Sequence, residues 1–171
     1  MEEKKLIEQA VKGDREAFCG LYGLYKNRLF RYAFYRLGDP AMAEDAVSEC
    51  ILSAWQGIRG LRSAKAFPAW LFRILSRQCS RQIREMITER EKQERFAGYV
   101  HQTVPDATIA LELSEALGRL QAEERELVLL SAVAGLKSRE IASIYGMTAG
   151  SVRSKVSRSL SKMRKFLEMQ P

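Results

Sequence analysis

The sequence lacks the features of membrane-inserted and secreted proteins. None of its apolar runs approaches the roughly 18 residues that a membrane-spanning helix requires. The opening MEEKK, followed by a broken apolar stretch, does not have the order of a secretory signal peptide. We therefore expect a cytosolic chain with no direct membrane insertion.

Cysteine and histidine are scarce. The cysteines Cys19, Cys50 and Cys79 are far apart, and each lies among apolar positions of helical spacing, so we expect buried free thiols. The single histidine, His101, falls in a predicted linker. The sequence therefore predicts no metal site and no cofactor.

Residue patterns for catalysis are missing as well. The chain has no glycine-rich phosphate loop and no Ser/His/Asp set. Glu44, Asp45 and Glu49 suggest metal ligands of a nucleic-acid enzyme, but Glu44 and Asp45 point about 100° apart on a helix. We predict no enzymatic activity and no small-molecule substrate.

The sequence is instead rich in positive charge and helical periodicity. Its net charge of +7 favours an anionic partner, although charge alone leaves DNA, RNA and lipid headgroups open. Apolar residues recur at helical spacing, Asp14 and Asp39 are typical cap residues, and Gly38 is typical of a helix end. We predict an all-α protein of two small helical domains, residues 1–95 and 108–171, joined by a flexible linker at residues 96–107.

The helix after Asp39 has an unusual outer face. Its inner face carries small and apolar residues, whereas its outer face combines acidic residues with two large apolar ones. An acidic rim around an apolar pair is typical of a protein-docking surface, and the alternative is that Trp55 packs on a neighbouring helix. The predicted docking residues are Asp45, Glu49, Leu52 and Trp55.

Two basic patterns follow in the first predicted domain. In residues 57–68, apolar side chains alternate with cations, which would give an unstacked base both a stacking surface and phosphate neutralisation; an ordinary connector is the alternative. The next helix carries four arginines in one row, whose mutual repulsion a polyanion would relieve, and a salt-bridged surface is the alternative. The candidate nucleic-acid residues are Leu61, Arg62, Ser63, Lys65, Phe67, Arg73, Arg77, Arg81 and Arg84.

Residues 138–167 predict a helix-turn-helix. Ser138 and Thr148 are suited to cap two helices, and Gly146 permits the positive φ of the turn between them. An apolar stripe of Val152, Val156, Leu160, Met163 and Leu167 is predicted to pack inward. The remaining surface is cationic and rich in serine, as expected for a helix in a DNA major groove. Its candidate DNA-binding residues are Thr148, Ser151, Arg153, Ser154, Lys155, Ser157, Arg158 and Lys162.

Together these blocks resemble bacterial sigma factors of the extracytoplasmic-function (ECF) group. The first domain is similar to their region 2 through KGDREAFCGLY (12–22), LGDPAMAEDAV (37–47) and FPAWLFRI (67–74). The second is similar to region 4 through LQAEERELVLL (120–130) and GLKSREIASIYGMTAGSVRSKVSRSLSKMR (135–164). The resemblance implies a non-catalytic subunit that binds core RNA polymerase and directs it to promoter DNA.

The resemblance also implies a role for each surface. The acidic face would dock on polymerase, the loop and arginine row would hold the minus-10 element with one base flipped out, and the last helix would read the minus-35 element. It further implies a cognate anti-sigma factor. Arg77 and Arg81 stand where many relatives carry asparagine and aspartate, which leaves the minus-10 base preference open.

The residues are also consistent with a different function. A transcription regulator with the same helix-turn-helix would bind a two-fold operator as a homodimer, with half-sites about one helical turn apart. That function would leave the first domain without a role.

Overall fold

The structure, a computed structural model, describes residues 2–93 and 108–169. Four helices precede the gap: α1 (Glu2–Val11), α2 (Arg15–Leu37), α3 (Pro40–Gly57) and α4 (Phe67–Gln93). Two 3₁₀ turns, Ile58–Gly60 and Ala64–Ala66, connect α3 to α4. The predicted linker at residues 96–107, including His101, lies outside the described residues.

Four further helices follow the gap. They are α5 (Thr108–Gly118), α6 (Ala122–Val128), α7 (Ser138–Tyr145) and α8 (Ala149–Glu168), and a π-helical segment, Leu129–Val133, continues α6. All regular structure in the two described ranges is helical, which confirms the predicted all-α class. We refer to α1–α4 as the N-terminal group and to α5–α8 as the C-terminal group.

The helix ends follow the predicted caps closely. Asp14 accepts a hydrogen bond from the Ala17 N–H at 3.1 Å, and Asp39 accepts one from the Met42 N–H at 2.9 Å. Gly38 ends α2 in the left-handed conformation, with φ of 74°. Because these caps depend on neighbours within four residues, the local sequence is enough to place them.

The core of the N-terminal group lies between α2, α3 and α4. Tyr25 and Tyr32 from α2 and Phe72 from α4 are fully buried, and the Tyr32 and Phe72 rings meet edge to face with centroids 5.8 Å apart. The predicted inner face of α3 is buried as expected, including Cys50. The α1 helix is tied to this core because the Tyr25 hydroxyl donates a hydrogen bond to Glu3.

The cysteine prediction is correct for two positions and wrong for one. Cys50 and Cys79 are buried free thiols, and burial raises the pKa of each to about 12, so both stay protonated at neutral pH. Cys19 is also a free thiol, but it is exposed on α2. Its apolar neighbours in sequence lie on the other side of that helix.

Two details of the helix-turn-helix differ from prediction. Ser138 is the first residue of α7 rather than its cap, and the Glu140 carboxylate accepts the Lys137 backbone N–H at 2.7 Å instead. In α8, Ser159 is buried while Leu160 and Leu167 are exposed. The inward stripe therefore keeps Met163, as predicted, but contains Ser159 in place of Leu160.

The two groups of helices contact each other directly. The α2 helix packs against the π-helical segment, and α4 packs against α7. At the centre of this contact lies Glu126, a charged residue that is only 6% exposed. Within the ranges that the structure describes, no helix is both long and apolar enough to cross a bilayer.

Candidate nucleic-acid interface

The cationic face of α8 is built on a firmly capped helix. Thr148 Oγ1 accepts the Ser151 N–H at 3.1 Å, and Gly146 takes a φ of 64° in the turn before it, both as predicted. Val152, fully buried, fixes the opposite side of α8 against the core. The exposed side chains of this face are Arg153, Ser154, Ser157, Arg158 and Lys162.

Two lysines of this face have partners on α6. Lys155 Nζ lies 2.7 Å from Glu123 Oε1, and Lys162 Nζ lies 2.6 Å from Glu124 Oε1. The Lys162 hydrogen bond, together with one from the Gln121 backbone N–H, holds the pKa of Glu124 below its usual range. These pairs tie α8 to α6 and neutralise part of the charge predicted to face DNA.

The arginines of the face have no such partners. Arg153 and Arg158 are exposed, and neither forms an ion pair with any residue in the described ranges. Guanidinium groups in this position suit bidentate contact with guanine edges or phosphates. The unpaired charge on this face of α8 therefore lies on Arg153 and Arg158.

The loop before α4 forms one wall of a cavity of about 600 Å³. The predicted residues Leu61, which is half-buried, and Arg62, Ser63 and Lys65, which are exposed, line this wall. The opposite wall comes from α1 and the residue after it, including Lys4, Glu8 and Lys12, and Lys4 Nζ lies 3.7 Å from Glu8 Oε1. A concave space between cationic side chains has the chemistry required for an unstacked base and its phosphates.

The contribution of α1 is missing from the sequence-based prediction. Lys4 and Lys12 are about 50 residues from the loop along the chain, and no periodic pattern links them to it. Contact between α1 and the two 3₁₀ turns brings them together. Gly13 permits this close approach, because a Cβ at that position would lie 2.7 Å from the guanidinium of Arg59, which belongs to the first turn.

Phe67 was predicted as a stacking surface in the loop, and this prediction is wrong. The side chain is 1% exposed and packs edge to face on Tyr25, with ring centroids 5.4 Å apart. It is the first residue of α4 and points into the core, so no base can reach it. The alternation of apolar and charged residues in the loop reflects burial of Ile58 and Phe67 rather than a series of base contacts.

The arginine row lies on the exposed face of α4. Arg73, Arg77 and Arg84 are exposed and form no ion pair with any residue in the described ranges. Arg81 is exposed as well, but its Nε lies 3.7 Å from Glu85 Oε1 one turn on. The acidic residues nearby therefore compensate one of the four positive charges, and the row retains most of its repulsion.

The acidic face of α3 presents three of its four predicted residues to solvent. Asp45, Glu49 and Leu52 are exposed, and the Leu52 side chain is 57% exposed. Trp55 instead packs on Phe18 of α2, with ring centroids 5.1 Å apart, and is half-buried. Its predicted pairing with Leu52 on one exposed patch is therefore wrong, and the packing alternative holds for Trp55.

The acidic face also meets the arginine row. Asp45 and Glu49 line a cavity of about 790 Å³ between α3 and α4, together with Arg81 and Glu85. Within residues 2–91 and 111–169, no group of three or more His, Cys, Asp or Glu side chains is placed to hold a metal ion. Of the arginine row, Arg81 therefore lies at the same cavity as the acidic face.

Comparison with known proteins relates both groups to one family. Residues 21–86 match Sigma-70 region 2, and residues 110–163 match Sigma-70 region 4. The ECF RNA polymerase sigma factor SigL of Mycobacterium tuberculosis is 31% identical over 176 residues, covering 95% of both chains. The ECF RNA polymerase sigma factor SigW of Bacillus subtilis is 27% identical over 179 residues, covering 96% of both.

Two solved structures share the fold. CnrH, in complex with the cytosolic domain of CnrY, has a TM-score of 0.76 at 23% identity, with all of both chains covered. The sigma factor RpoE of Bartonella quintana, in complex with the anti-sigma factor NepR, has a TM-score of 0.73 at 24% identity, covering 90% of this chain and 98% of RpoE. The α1 helix lies before the range that matches region 2.

Proposed function

This chain belongs to the ECF sigma factors of RNA polymerase, and from that membership we propose how its surfaces divide the work of promoter recognition. The chain binds core RNA polymerase and directs promoter-specific initiation of transcription. The alternative, a dimeric regulator acting alone, is not favoured because the N-terminal group matches a sigma region of its own. We further propose that the chain acts in the cytoplasm and has no catalytic activity.

We propose that the α8 face reads the minus-35 element in duplex form. Its unpaired arginines, Arg153 and Arg158, would contact base edges or phosphates in the major groove, and its serines keep the helix close to the groove wall. Thr148 and Ser151 at the capped start of α8 would approach the backbone. Lys155 and Lys162 would contact phosphates only after exchanging or sharing their partners on α6.

The minus-10 element would occupy the surface of the N-terminal group. A flipped base would enter the cavity beside Leu61, where Lys12, just after the end of α1, adds to the charge of Arg62 and Lys65. The arginine row would then follow the phosphates of the adjoining strand. Flipping a base costs a few kcal/mol, so this surface requires the further contacts that polymerase supplies.

Core polymerase would bind the acidic face of α3. The exposed Leu52, flanked by Asp45 and Glu49, has the composition of an interface centre with a polar rim. Trp55 would support this surface through its packing on Phe18 rather than form its centre. An anti-sigma factor is proposed as a second partner, on the model of the RpoE complex with NepR.

The domain boundaries remain proposals. We place the minus-10 and polymerase-binding domain at residues 1–95, the linker at 96–107 and the minus-35 domain at 108–171. Polymerase would hold the minus-10 and minus-35 surfaces at a fixed separation. Binding of one surface to its element would then raise the effective concentration of the other surface at its own element.

The observation that carries the proposal is the presence of two separate cationic surfaces, each with unpaired arginines, on the two sigma regions of one chain. It is tested by transcription in vitro with core polymerase, this protein and a promoter library whose start sites are sequenced. We expect initiation only with the protein present, at promoters sharing two elements at one spacing. Equal recognition of those promoters by the free chain would contradict the proposal.

The docking surface has its own test. Leu52→Ala is expected to lower the affinity for core polymerase about tenfold, in the range typical of an interface anchor, without changing the melting temperature. Ile87→Ala, an exposed apolar residue on α4, is the matched control and is expected to leave the affinity unchanged. Equal affinities for the two variants would contradict the proposal that Leu52 contacts core polymerase.

A further inference from the structure

A second cavity lies beside the one that the loop before α4 forms. It has a volume of about 260 Å³ and lies between the start of α1, the second 3₁₀ turn and the start of α4. Its lining residues are Glu3, Lys4, Ile7, Ala64, Lys65 and Pro68. We call this space the α1 cavity and the space of about 600 Å³ the loop cavity. Both are lined by Lys4 and Ile7 of α1 and by residues of the turn Ala64–Ala66, so the two cavities are adjacent.

The α1 cavity has the size and the lining of a site for one nucleobase. Pockets for drug-sized ligands are about 300 to 1,000 Å³, so a space of about 260 Å³ suits a smaller group. Ile7, Ala64 and Pro68 supply apolar surface that a planar ring can contact. Lys65 is exposed and forms no ion pair with any residue in the described ranges, so its ammonium is available to a phosphate.

The Glu3 side chain is held by a residue of the core. Tyr25, which is 1% exposed, donates a hydrogen bond from its hydroxyl to Glu3 Oε1. The Arg28 guanidinium lies over the Tyr25 ring, 4.3 Å from its centroid, and packs on that side chain. Burial, and next the hydrogen bond to Glu3, raise the pKa of Tyr25 above its ordinary value, so the phenol keeps the proton that it donates.

Glu3 retains an acceptor that the protein does not use. Its other oxygen, Oε2, accepts no hydrogen bond from any residue that the structure describes. The side chain is half-buried at the wall of the α1 cavity. A polar group in such a place gains most from a ligand that donates to it, because a partly buried acceptor has limited access to water.

A carboxylate acceptor distinguishes nucleobases by their exocyclic groups. Cytosine and adenine carry an amino group beside a ring nitrogen, and such an amino group donates to a carboxylate, as N4 of cytosine does to Glu and Asp in protein–DNA complexes. Thymine and guanine carry a carbonyl at the corresponding position. Two acceptor oxygens then face each other with no hydrogen between them, so a carboxylate there disfavours these two bases.

We propose that the α1 cavity is a subsite for a second unstacked base of the minus-10 strand, next to the base in the loop cavity, and that Glu3 makes this subsite prefer cytosine or adenine. This inference rests on the proposed function of the N-terminal group. Tyr25 is a positioning residue, because it acts through Glu3. The α1 helix precedes residues 21–86, which match Sigma-70 region 2, so the family match itself assigns no role to this cavity.

The subsite is tested by binding of the holoenzyme to fork-junction promoter DNA, in which the minus-10 strand is already single-stranded. Such DNA removes the cost of melting, so the affinity reports the contacts to the bases. Each position of the minus-10 strand is changed in turn to each base. The measured quantity is the ratio of the affinities for cytosine and thymine at each position.

The wild-type holoenzyme is expected to favour cytosine over thymine about tenfold at the position beside the flipped base, as one good base contact would give. Glu3→Gln keeps an acceptor for Tyr25 and adds an amide that can donate to the thymine carbonyl, so the ratio at that position should fall to about one. Tyr25→Phe leaves the carboxylate in place but no longer holds it, and should give an intermediate ratio.

The matched control is Glu2→Gln. Glu2 is exposed on the same helix and lines neither cavity, so its variant should keep the wild-type ratio at every position. Circular dichroism and the affinity for core polymerase are measured for all variants. Native values in Glu3→Gln would show that the changed ratio does not come from loss of the fold.

The outcomes separate the subsite from the proposed function. An unchanged ratio at every position in Glu3→Gln would overturn the subsite while leaving promoter binding by the holoenzyme intact. An equal loss of affinity for all bases would also overturn it, because Glu3 would then serve only to hold α1 on Tyr25. The same change of ratio in Glu2→Gln would assign the effect to charge alone and overturn the subsite as well. Failure of the wild-type chain to join core polymerase would overturn the proposed function, and the subsite with it.

Discussion

The two surfaces that we propose to bind DNA carry their charge in different ways. On the cationic face of α8, two lysines are held by carboxylates of α6, and Arg153 and Arg158 remain unpaired, all on one regular helix. In the N-terminal group, three of the four arginines in the row are unpaired, and the adjoining cavity combines α1 with a loop of two 3₁₀ turns. The first surface is formed by a single helix. The second is assembled from several elements, and the arginines of its row repel one another.

The difference matches two kinds of recognition. A rigid helix with a few fixed donors suits a duplex, whose groove has a regular shape. A cationic cavity assembled from separate elements suits a melted strand, whose bases leave the stack one at a time. We therefore expect substitutions on α8 to change which promoter is chosen, and substitutions in the arginine row to change how tightly any promoter is held.

The largest expected effect tests whether the N-terminal surface depends on its core. Phe67→Ala should destabilise the N-terminal group by about 3 to 5 kcal/mol, because it leaves a cavity beside Tyr25 and Trp70. Leu61→Ala, half-buried at the loop, should cost much less stability but should still reduce promoter opening. Thermal unfolding and permanganate footprinting measure the two quantities, and equal destabilisation would show that Leu61 belongs to the same core.

The next effect tests the α8 surface. Arg158→Ala should cost about 1 to 3 kcal/mol at promoters whose minus-35 base it contacts and little at others. Arg164→Ala, on the same helix but farther from its capped start, is the control and should affect all promoters slightly. Holoenzyme binding to a set of minus-35 variants gives the comparison, and a uniform loss for Arg158→Ala would assign it to a phosphate.

A smaller effect tests the arginine row. Arg84→Ala should weaken binding to most promoters alike and reduce the salt slope of holoenzyme binding by about one unit, as expected when one phosphate contact is lost. Arg81→Ala should have a weaker effect, because Glu85 already compensates part of its charge. If Arg81→Ala weakens promoter binding more than Arg84→Ala does, the pair between Arg81 and Glu85 does not persist in the complex.

The smallest effect tests the pairing of the α8 lysines. Glu124→Gln releases Lys162 and should steepen the salt slope by up to about one unit, because one more cation becomes available to a phosphate. The lowered pKa of Glu124 implies that its stabilising contribution is present at neutral pH and is lost as the pH falls through that lowered value. Glu85→Gln is the counterpart in the row, and an unchanged slope in both variants would mean that neither pair limits DNA binding.

The accuracy of the sequence-based predictions follows the range of the interactions involved. The caps at Asp14, Asp39 and Thr148 and the turn at Gly146 depend on residues within a few positions and were predicted correctly. Phe67 was assigned to the wrong environment, because its partner Tyr25 lies 42 residues earlier and the alternation around Phe67 fits a loop equally well. The shift of the α8 stripe to Ser159 has the same origin, since spacings of three and four residues fit both stripes.

The sequence by itself determined the helical class, the order of the two basic patterns and their similarity to two sigma regions. Periodicity, capping and motif order depend on residues that are close together in the chain. Only the tertiary structure decided that α1 forms a wall of the cavity, that Phe67 and Trp55 pack inward, and that Glu126 is buried against Tyr32. That last pair is separated by 94 residues. Such contacts depend on how whole helices pack, and burial of a carboxylate is favourable only where packing supplies its donors.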